Sequence, residues 1–315
     1  MTIMEQKYIQ VREVGLRDGL QMIDHVVPTE AKLEWLQAEA RTGVNSFDIT
    51  SFVSKSRMPQ FADAEMMVSA ASQIPGLQAS VLALNARGAE RALEAGAKRL
   101  VYVISASASH SKGNAGRDTQ EALDEFERVA ELIRNAADRP YLEAGIATAF
   151  GCTIEGAIDP KRVRQLAARL AELGADEIML ADTVGYAQPR QVQDLFSLVR
   201  KDVGDLPLGA HFHDTRGLAL ANVVAALDAG VCKFDSALGG LGGCPFAPGA
   251  SGNVATEDLV FLLQSMGYET NINLPELLNI REQLHEWLPG VQLSGSIARA
   301  GLPKNLIFEK IKIDQ

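Results

Sequence analysis

The sequence predicts an α/β protein, specifically a (β/α)8 TIM barrel with a short C-terminal helical extension. Three observations carry this: short runs of β-branched and apolar residues, amphipathic stretches between them at even spacing, and glycines that close several of those stretches. The strand-like runs are Ile9–Val14, Ser46–Ile49, Gln78–Leu82, Arg99–Ile104, Tyr141–Ala147, Glu177–Leu180, Leu208–Phe212 and Lys233–Ser236. Between them the spacing predicts helices such as Glu30–Ala40, Gln120–Ala136, Pro160–Leu173, Pro189–Val203 and Leu218–Ala229. Gly43, Gly96, Gly174 and Gly230 stand just past helical stretches, where the left-handed backbone costs glycine nothing. Strands alternating with helices imply parallel pairing with helical crossovers. Eight such units suit a closed barrel, in which each strand is buried and reads as a nearly continuous apolar run; a doubly wound open sheet is the alternative on pattern alone. After a last barrel helix near Glu257–Met266 come a helical stretch, Pro275–Trp287, and a basic segment ending at Ile313. The expected organisation is a barrel over residues 1–270 and an extension over 271–315 packed on it.

Composition narrows the partners. The chain has 315 residues, 47% of them hydrophobic, so a large core is available. Its net charge of −10 repels nucleic-acid phosphates and anionic membrane surfaces, and both are poor partners. An anionic small molecule would need a local basic cluster acting against that field. Three cysteines, Cys152, Cys232 and Cys244, are too few for a disulfide scaffold and fit a reducing compartment. The opening segment is polar within a few residues and no apolar run approaches a membrane span, so a cytoplasmic location is expected.

The unusual polar residues share one placement. Arg17 and Asp18 follow the first strand, Asp48 sits near the end of the second, and Asp182 follows the sixth. His211 and His213 lie at the end of the seventh, and Asn253 falls in the loop after the eighth. All lie toward the C-terminal ends of their strands, where barrels of this kind build active sites. His211-Phe212-His213 is a His-x-His on a strand, and period-two alternation points both imidazoles the same way. They can share a metal ion with Asp18 and the Asn253 amide oxygen. An oxygen-rich mixed set suits Mg²⁺ or Mn²⁺, with Zn²⁺ and Co²⁺ left open. The segment Gly239-Gly240-Leu241-Gly242-Gly243-Cys244-Pro245-Phe246 reads either as a lid carrying a thiol or as a plain phosphate-binding loop. Glu13 and Gln21 flank the Arg-Asp pair and by themselves read equally as strand-end and surface residues.

The run Val11-Arg12-Glu13-Val14-Gly15-Leu16-Arg17-Asp18-Gly19-Leu20-Gln21 resembles the opening strand of the DRE-TIM metallolyases. Within that superfamily the chain is similar to the 3-hydroxy-3-methylglutaryl-CoA lyase branch. Supporting segments are Thr50-Ser51-Phe52-Val53-Ser54, Ala181-Asp182-Thr183-Val184-Gly185, His211-Phe212-His213-Asp214-Thr215 and Gly240–Asn253 with Ala255–Leu259. The resemblance implies that Asp18, His211, His213 and Asn253 bind a divalent metal. It implies that Arg17 neutralises the thioester oxygen as an enolate forms, and that Cys244 is the lid cysteine. Glu13, Gln21, Asp182 and Glu257 match supporting polar positions of the active site, and Asp48 falls where the lyases carry glutamate. It further implies an acyl-CoA thioester substrate, a homodimer or higher assembly, and a place in leucine catabolism.

The chain also departs from the family pattern. Besides Asp48, Gly145 stands where the branch usually has an aromatic residue on the fifth strand, and Thr153-Ile154 replaces a Pro-aromatic pair. A lost ring at the barrel mouth reshapes the acyl pocket, leaving a citramalyl-CoA-type or longer branched 3-hydroxyacyl-CoA as alternatives. A Claisen condensing synthase of the same superfamily would share Arg17-Asp18 and the His-x-His, but usually carries an accessory domain and lacks the Gly-Gly-Cys-Pro segment. A non-catalytic binding barrel would be expected to have lost metal ligands that are all present here.

Overall fold

The computed structural model describes residues 8–243 and 252–304. Eight parallel strands close on themselves in chain order: β1 Gln10–Glu13, β2 Ser46–Ser51, β3 Gln78–Leu82, β4 Arg99–Ser105, β5 Tyr141–Ala147, β6 Glu177–Asp182, β7 Leu208–Phe212 and β8 Lys233–Ser236. Closure comes from β1 pairing with β8, Gln10 opposite Lys233 through Glu13 opposite Ser236, and it excludes the open sheet. The layer outside is α1 Thr29–Ala40, α2 Ala64–Ala71, α3 Ala86–Glu94, α4 Ala108–Ala115, α5 Thr119–Asn135, α6 Pro160–Leu173, α7 Pro189–Val203, α8 Ala219–Asp228 and α9 Thr256–Ser265. Outward strand residues such as Leu142, Ala144 and Ile146 are fully buried against helix positions such as Phe126, Val163 and Leu166. The glycines expected to end helices do so, with φ of +100° at Gly43, +85° at Gly96, +107° at Gly174 and +85° at Gly230.

Local chemistry sets the element ends. The first strand stops at Glu13, one residue short of the expected Val14, because the amides of Asp18 (2.7 Å) and Gly19 (3.2 Å) both return to the Val14 carbonyl. The chain therefore leaves β1 in a π-helical turn, Gly15–Gly19, and this wide turn carries Arg17-Asp18. The second strand continues past Asp48 with a register shift between Asp48 and Thr50, a bulge of the kind that re-aims side chains near functional sites. Helix α4, in a Ser/Gly/Asn-rich stretch with little helical pattern, starts where the Ser107 side chain caps the His110 amide.

The strand interiors differ from the expected apolar runs. Arg12, Glu143, Glu177, Lys233 and Asp235 all point into the barrel and are buried. They are tolerated because each has an ionic partner: Arg12 bridges Asp235 (2.7 Å) and Glu143 (2.7 Å), and Lys233 bridges Glu143 (2.6 Å) and Glu177 (2.8 Å). Beyond the barrel, α10 Leu274–Trp287 packs against α1 and α9, and a short α11, Ser296–Ala300, follows. Trp287 stacks on Trp35 with ring centroids 6.3 Å apart, while Arg281 reaches Glu257 at 3.1 Å.

Candidate metal centre and active site

The C-terminal ends of the strands open into a cavity of about 370 Å³ lined by Arg17, Asp18, Gln21, His211, His213 and Gly243, among others. Asp18 is brought there by the π-helical turn, and the two histidines by the alternation of β7. One ligand atom each from Asp18, His211 and His213 lies within 4.8 Å of the others. The two imidazole Nε2 atoms are 3.0 Å apart, and both rings are buried. Two imidazole nitrogens at that distance repel through their lone pairs unless a proton or a cation stands between them. Asn253 joins the group by donating its Nδ2 to Asp18 Oδ2 at 2.9 Å, while its Oδ1 is buried without a hydrogen-bond partner. A buried acceptor with no donor is costly, and a hard divalent cation is the partner an amide oxygen, a carboxylate and two imidazoles would take together. The residues fit a metal.

Close approach at this point requires glycine. Gly242 has φ +118°, and a Cβ there would stand 2.6 Å from Asn253 Nδ2 and 3.4 Å from Asp18 Oδ2. Any side chain would drive apart the pair that closes the site.

Electrostatics agree with a cation site. Burial works against ionising Asp18, but Arg17 and then the two histidines hold its carboxyl below the usual range. Burial, followed by the neighbouring His211, pushes His213 down to about 4, so its imidazole stays neutral with a lone pair to offer. Burial also opposes a charge on His211, yet the hydrogen bond it donates to Asp235 and the charge of Asp18 raise its pKa above the ordinary value. Asp235 itself, disfavoured by burial, is held well below the carboxylate range by Arg12 and His211. An ionised Asp235 can only accept, so His211 donates Nδ1–H across 3.1 Å and turns Nε2 toward Asp18.

Arg17 is clamped from both sides. Its Nε donates to Asp48 Oδ2 at 2.6 Å and its Nη1 to Asp18 Oδ1 at 2.8 Å. Asp48 is fully buried; burial raises its pKa, while Arg17 and Arg12 draw it down. Neither Asp48 nor Asn253 lines the cavity itself, and neither do Glu13, Asp182 and Glu257. Glu13 accepts from the Gly15 and Leu238 amides and the Thr256 hydroxyl. Glu257 accepts from the Gly239 amide at 3.0 Å and the Arg281 guanidinium, and burial pushes its pKa up to about 7. Asp182 accepts from the Tyr186 and Ala187 amides, with its pKa raised by burial to about 6. All three fasten loops around the mouth. Cys244 lies outside the described residues, directly after Gly243 in sequence.

Sequence reasoning did not single out Asp235, Arg12 or Glu143 as site residues, although all three line the cavity floor. The available signal was a charge in the middle of a strand that parallel-barrel burial should leave apolar, as in Arg12 and Glu143.

Comparison with known proteins decides the family. The HMGL-like family model matches residues 8–284. The chain belongs to the HMGL-like family. Its relatives in this family include the cytoplasmic 3-hydroxy-3-methylglutaryl-CoA lyase of Rattus norvegicus, 40% identical over 274 residues, 86% of this chain and 79% of that one. The hydroxymethylglutaryl-CoA lyase of Bacillus subtilis is 38% identical over 282 residues, 89% of this chain and 93% of its own. Among solved structures, an HMG-CoA lyase from Acinetobacter baumannii in complex with coenzyme A and 3-methylmalate superposes with a TM-score of 0.89 at 37% identity, covering 95% and 97% of the two chains. The carboxyl transferase domain of Rhizobium etli pyruvate carboxylase, 18% identical with a TM-score of 0.68, shares the fold alone. An HMGL-like member with these relatives is a carbon–carbon lyase by family, as the opening motif implied.

Proposed function

We propose that this protein is a divalent-metal-dependent lyase that cleaves a small 3-hydroxyacyl-CoA, 3-hydroxy-3-methylglutaryl-CoA or a close analogue, into acetyl-CoA or a similar acyl-CoA and a keto acid. The observation that carries this is the convergence of Asp18, His211, His213 and Asn253 beside Arg17 at one cavity wall. Mg²⁺ or Mn²⁺ suits the donor set. Bound there, a divalent cation would acidify the substrate hydroxyl and polarise the departing carbonyl.

The chain's own residues supply the rest. Retro-Claisen cleavage moves the 3-hydroxyl proton away while electrons pass into the thioester carbonyl. Arg17, a permanent cation fixed by Asp48, stands where negative charge on that oxygen would be stabilised. Because Asp48 already holds the guanidinium in place, little reorganisation is needed as the charge develops. His211, backed by Asp235 through Nδ1–H, keeps its one lone pair on Nε2, which would hold the cation beside the substrate hydroxyl. The enolate carbon must then gain a proton, and Cys244 is assigned that role because it follows Gly243, which lines the cavity. Glu13 and Glu257 hold the root of the glycine-rich segment at Leu238 and Gly239. Gln21 and Asp182 are assigned supporting roles at the mouth.

The same reading takes residues 1–270 as the catalytic barrel and 271–315 as an extension packed on it. It places the protein in the cytoplasm as a homodimer or higher assembly; among the described residues no helix is long and apolar enough to cross a membrane. The test is release of acetyl-CoA from 3-hydroxy-3-methylglutaryl-CoA and close analogues. Activity should vanish on exhaustive chelation and return with Mg²⁺ or Mn²⁺. Full activity without metal would remove the metal from the mechanism, and no cleavage of any small 3-hydroxyacyl-CoA would remove the lyase reading.

A further inference from the structure

We infer that the side of the barrel mouth facing the metal centre is a subsite for an alkyl branch, so that this lyase prefers 3-hydroxyacyl-CoA substrates whose C3 branch is longer than methyl. This inference rests on the lyase reading above. In a closed barrel of eight strands in chain order, β5 stands opposite β1, and therefore across the mouth from the turn that carries Arg17 and Asp18. The substrate's hydroxyl and thioester oxygen are both drawn to that turn. C3 is tetrahedral, so at least one of its remaining substituents is directed across the cavity toward β4, β5 and β6.

What it meets there, above Glu143, is a row of apolar residues with no side chain at its centre. Val103, Gly145 and Met179 are register partners and form one row across the three strands, and all three line the cavity. The next inward position on β5 is Ala147, and β6 adds Ala181. A Cβ built at Gly145 would meet the Val103 Cγ2 at 3.3 Å and the Tyr102 carbonyl at 3.8 Å, and nothing else within 4 Å. Gly145 is not among the glycines of positive φ, so the backbone does not demand glycine; it lets Val103 pack close on one side and withholds a side chain from the cavity on the other. Glu143, the nearest inward charge on the same strand, is already bound by Arg12 and Lys233. A polar branch would thus lose water on this wall with no free partner among these residues, whereas an alkyl branch loses nothing. Met179, unbranched and adaptable, can fit chains of different length.

Each methylene that leaves water should raise kcat/KM roughly fourfold until the space is filled. The experiment uses the full chain, saturating Mg²⁺ and a series of 3-hydroxy-3-alkylglutaryl-CoA thioesters with methyl, ethyl, propyl and butyl branches, reading acetyl-CoA release. The expected result is a rise of at least tenfold in kcat/KM from methyl to propyl. Gly145→Phe should reverse that order by filling the space. Ala147→Leu, from the next inward position, serves the same purpose if the first variant does not fold. If kcat/KM is flat or falls with branch length in the unaltered protein while the methyl compound is cleaved, the subsite is overturned and the lyase reading stands. If the rise occurs but neither folded variant alters it, the branch lies elsewhere and the assignment to β5 is wrong. If no thioester is cleaved, the methyl compound included, the lyase reading fails and takes this inference with it.

Discussion

The two sides of the barrel mouth are built on opposite principles. Strands β7, β8, β1 and β2 bring Arg12, Arg17, Asp18, Asp48, His211, His213 and Asp235 together, nearly every one held by at least one ionic or hydrogen-bonded neighbour. Above Glu143 on the cavity floor, strands β3 to β6 offer Leu82, Val101, Val103, Gly145, Ala147 and Met179 to the same cavity. On the charged side geometry is fixed by a network, and removing one member leaves another buried and unpaired. Among those six apolar side-chain positions no directional bond fixes anything, and a substituent changes volume rather than charge balance. On the proposed reading the charged side governs the chemical step, and the apolar side governs which acyl group fits. A barrel can change the second without disturbing the first.

The largest effect expected from breaking this division is at Arg17. If it stabilises charge that appears only in the transition state, Arg17→Met should lower kcat and kcat/KM together by roughly 10²–10³, or about 3–4 kcal/mol. Steady-state kinetics with metal saturating make the comparison; a rise in KM with kcat intact would make Arg17 an anchor for substrate and nothing more. Next comes Asp235→Asn, which keeps the side-chain shape but removes the charge that fixes His211 and Arg12. Partners one step behind a metal ligand are typically worth about 10–100-fold in affinity. Calorimetric titration with Mn²⁺ should show a loss of that size, and an unchanged Kd would mean that His211 needs no such support.

A pH-dependent effect, on stability and not on the chemical step, is expected at Glu257, which fastens the glycine-rich segment on the charged side. Burial raises its pKa from 4.5 to about 7, so the folded protein keeps this proton where the unfolded chain has lost it. Its contribution to stability is then fullest below pH 4.5 and declines as the pH rises through 7. The loss amounts to roughly 3 kcal/mol at about 1.4 kcal/mol per unit. Urea unfolding of the unaltered protein and of Glu257→Gln should show the former losing its relative advantage between pH 5 and 7.5. A constant difference across that range would show that Arg281 keeps Glu257 ionised throughout.

Much of the fold was legible in the sequence because parallel barrels repeat one local rule. Gln78–Leu82, Tyr141–Ala147, Leu208–Phe212, Lys233–Ser236, Pro160–Leu173 and Pro189–Val203 have the bounds that spacing, proline and glycine imply. Of the site, Arg17, Asp18, His211 and His213 could be read from position alone, since each stands at the C-terminal end of a strand. The roles of Glu13, Asp182 and Glu257 were less legible: a carboxylate near a strand end can face substrate or hold a loop, and only hydrogen-bond partners distinguish the two. Asp235 and Glu143 were missed because their partner Arg12 comes from a strand 131 residues from one and 223 from the other.

By itself the sequence determined which residues carry charge, where strands and helices alternate, and that His211 and His213 share a face, because each of these follows from local periodicity. Tertiary structure alone decided that Asp18 and Asn253, 235 residues apart, bond to each other, and that the Asn253 oxygen is left open. It alone decided that Asp48 grips Arg17 and that Gly145 stands on the cavity wall across the barrel from the turn that carries Asp18. The physical reason is closure: joining β1 to β8 sets which distant strands confront one another, and no window along the chain contains that distance.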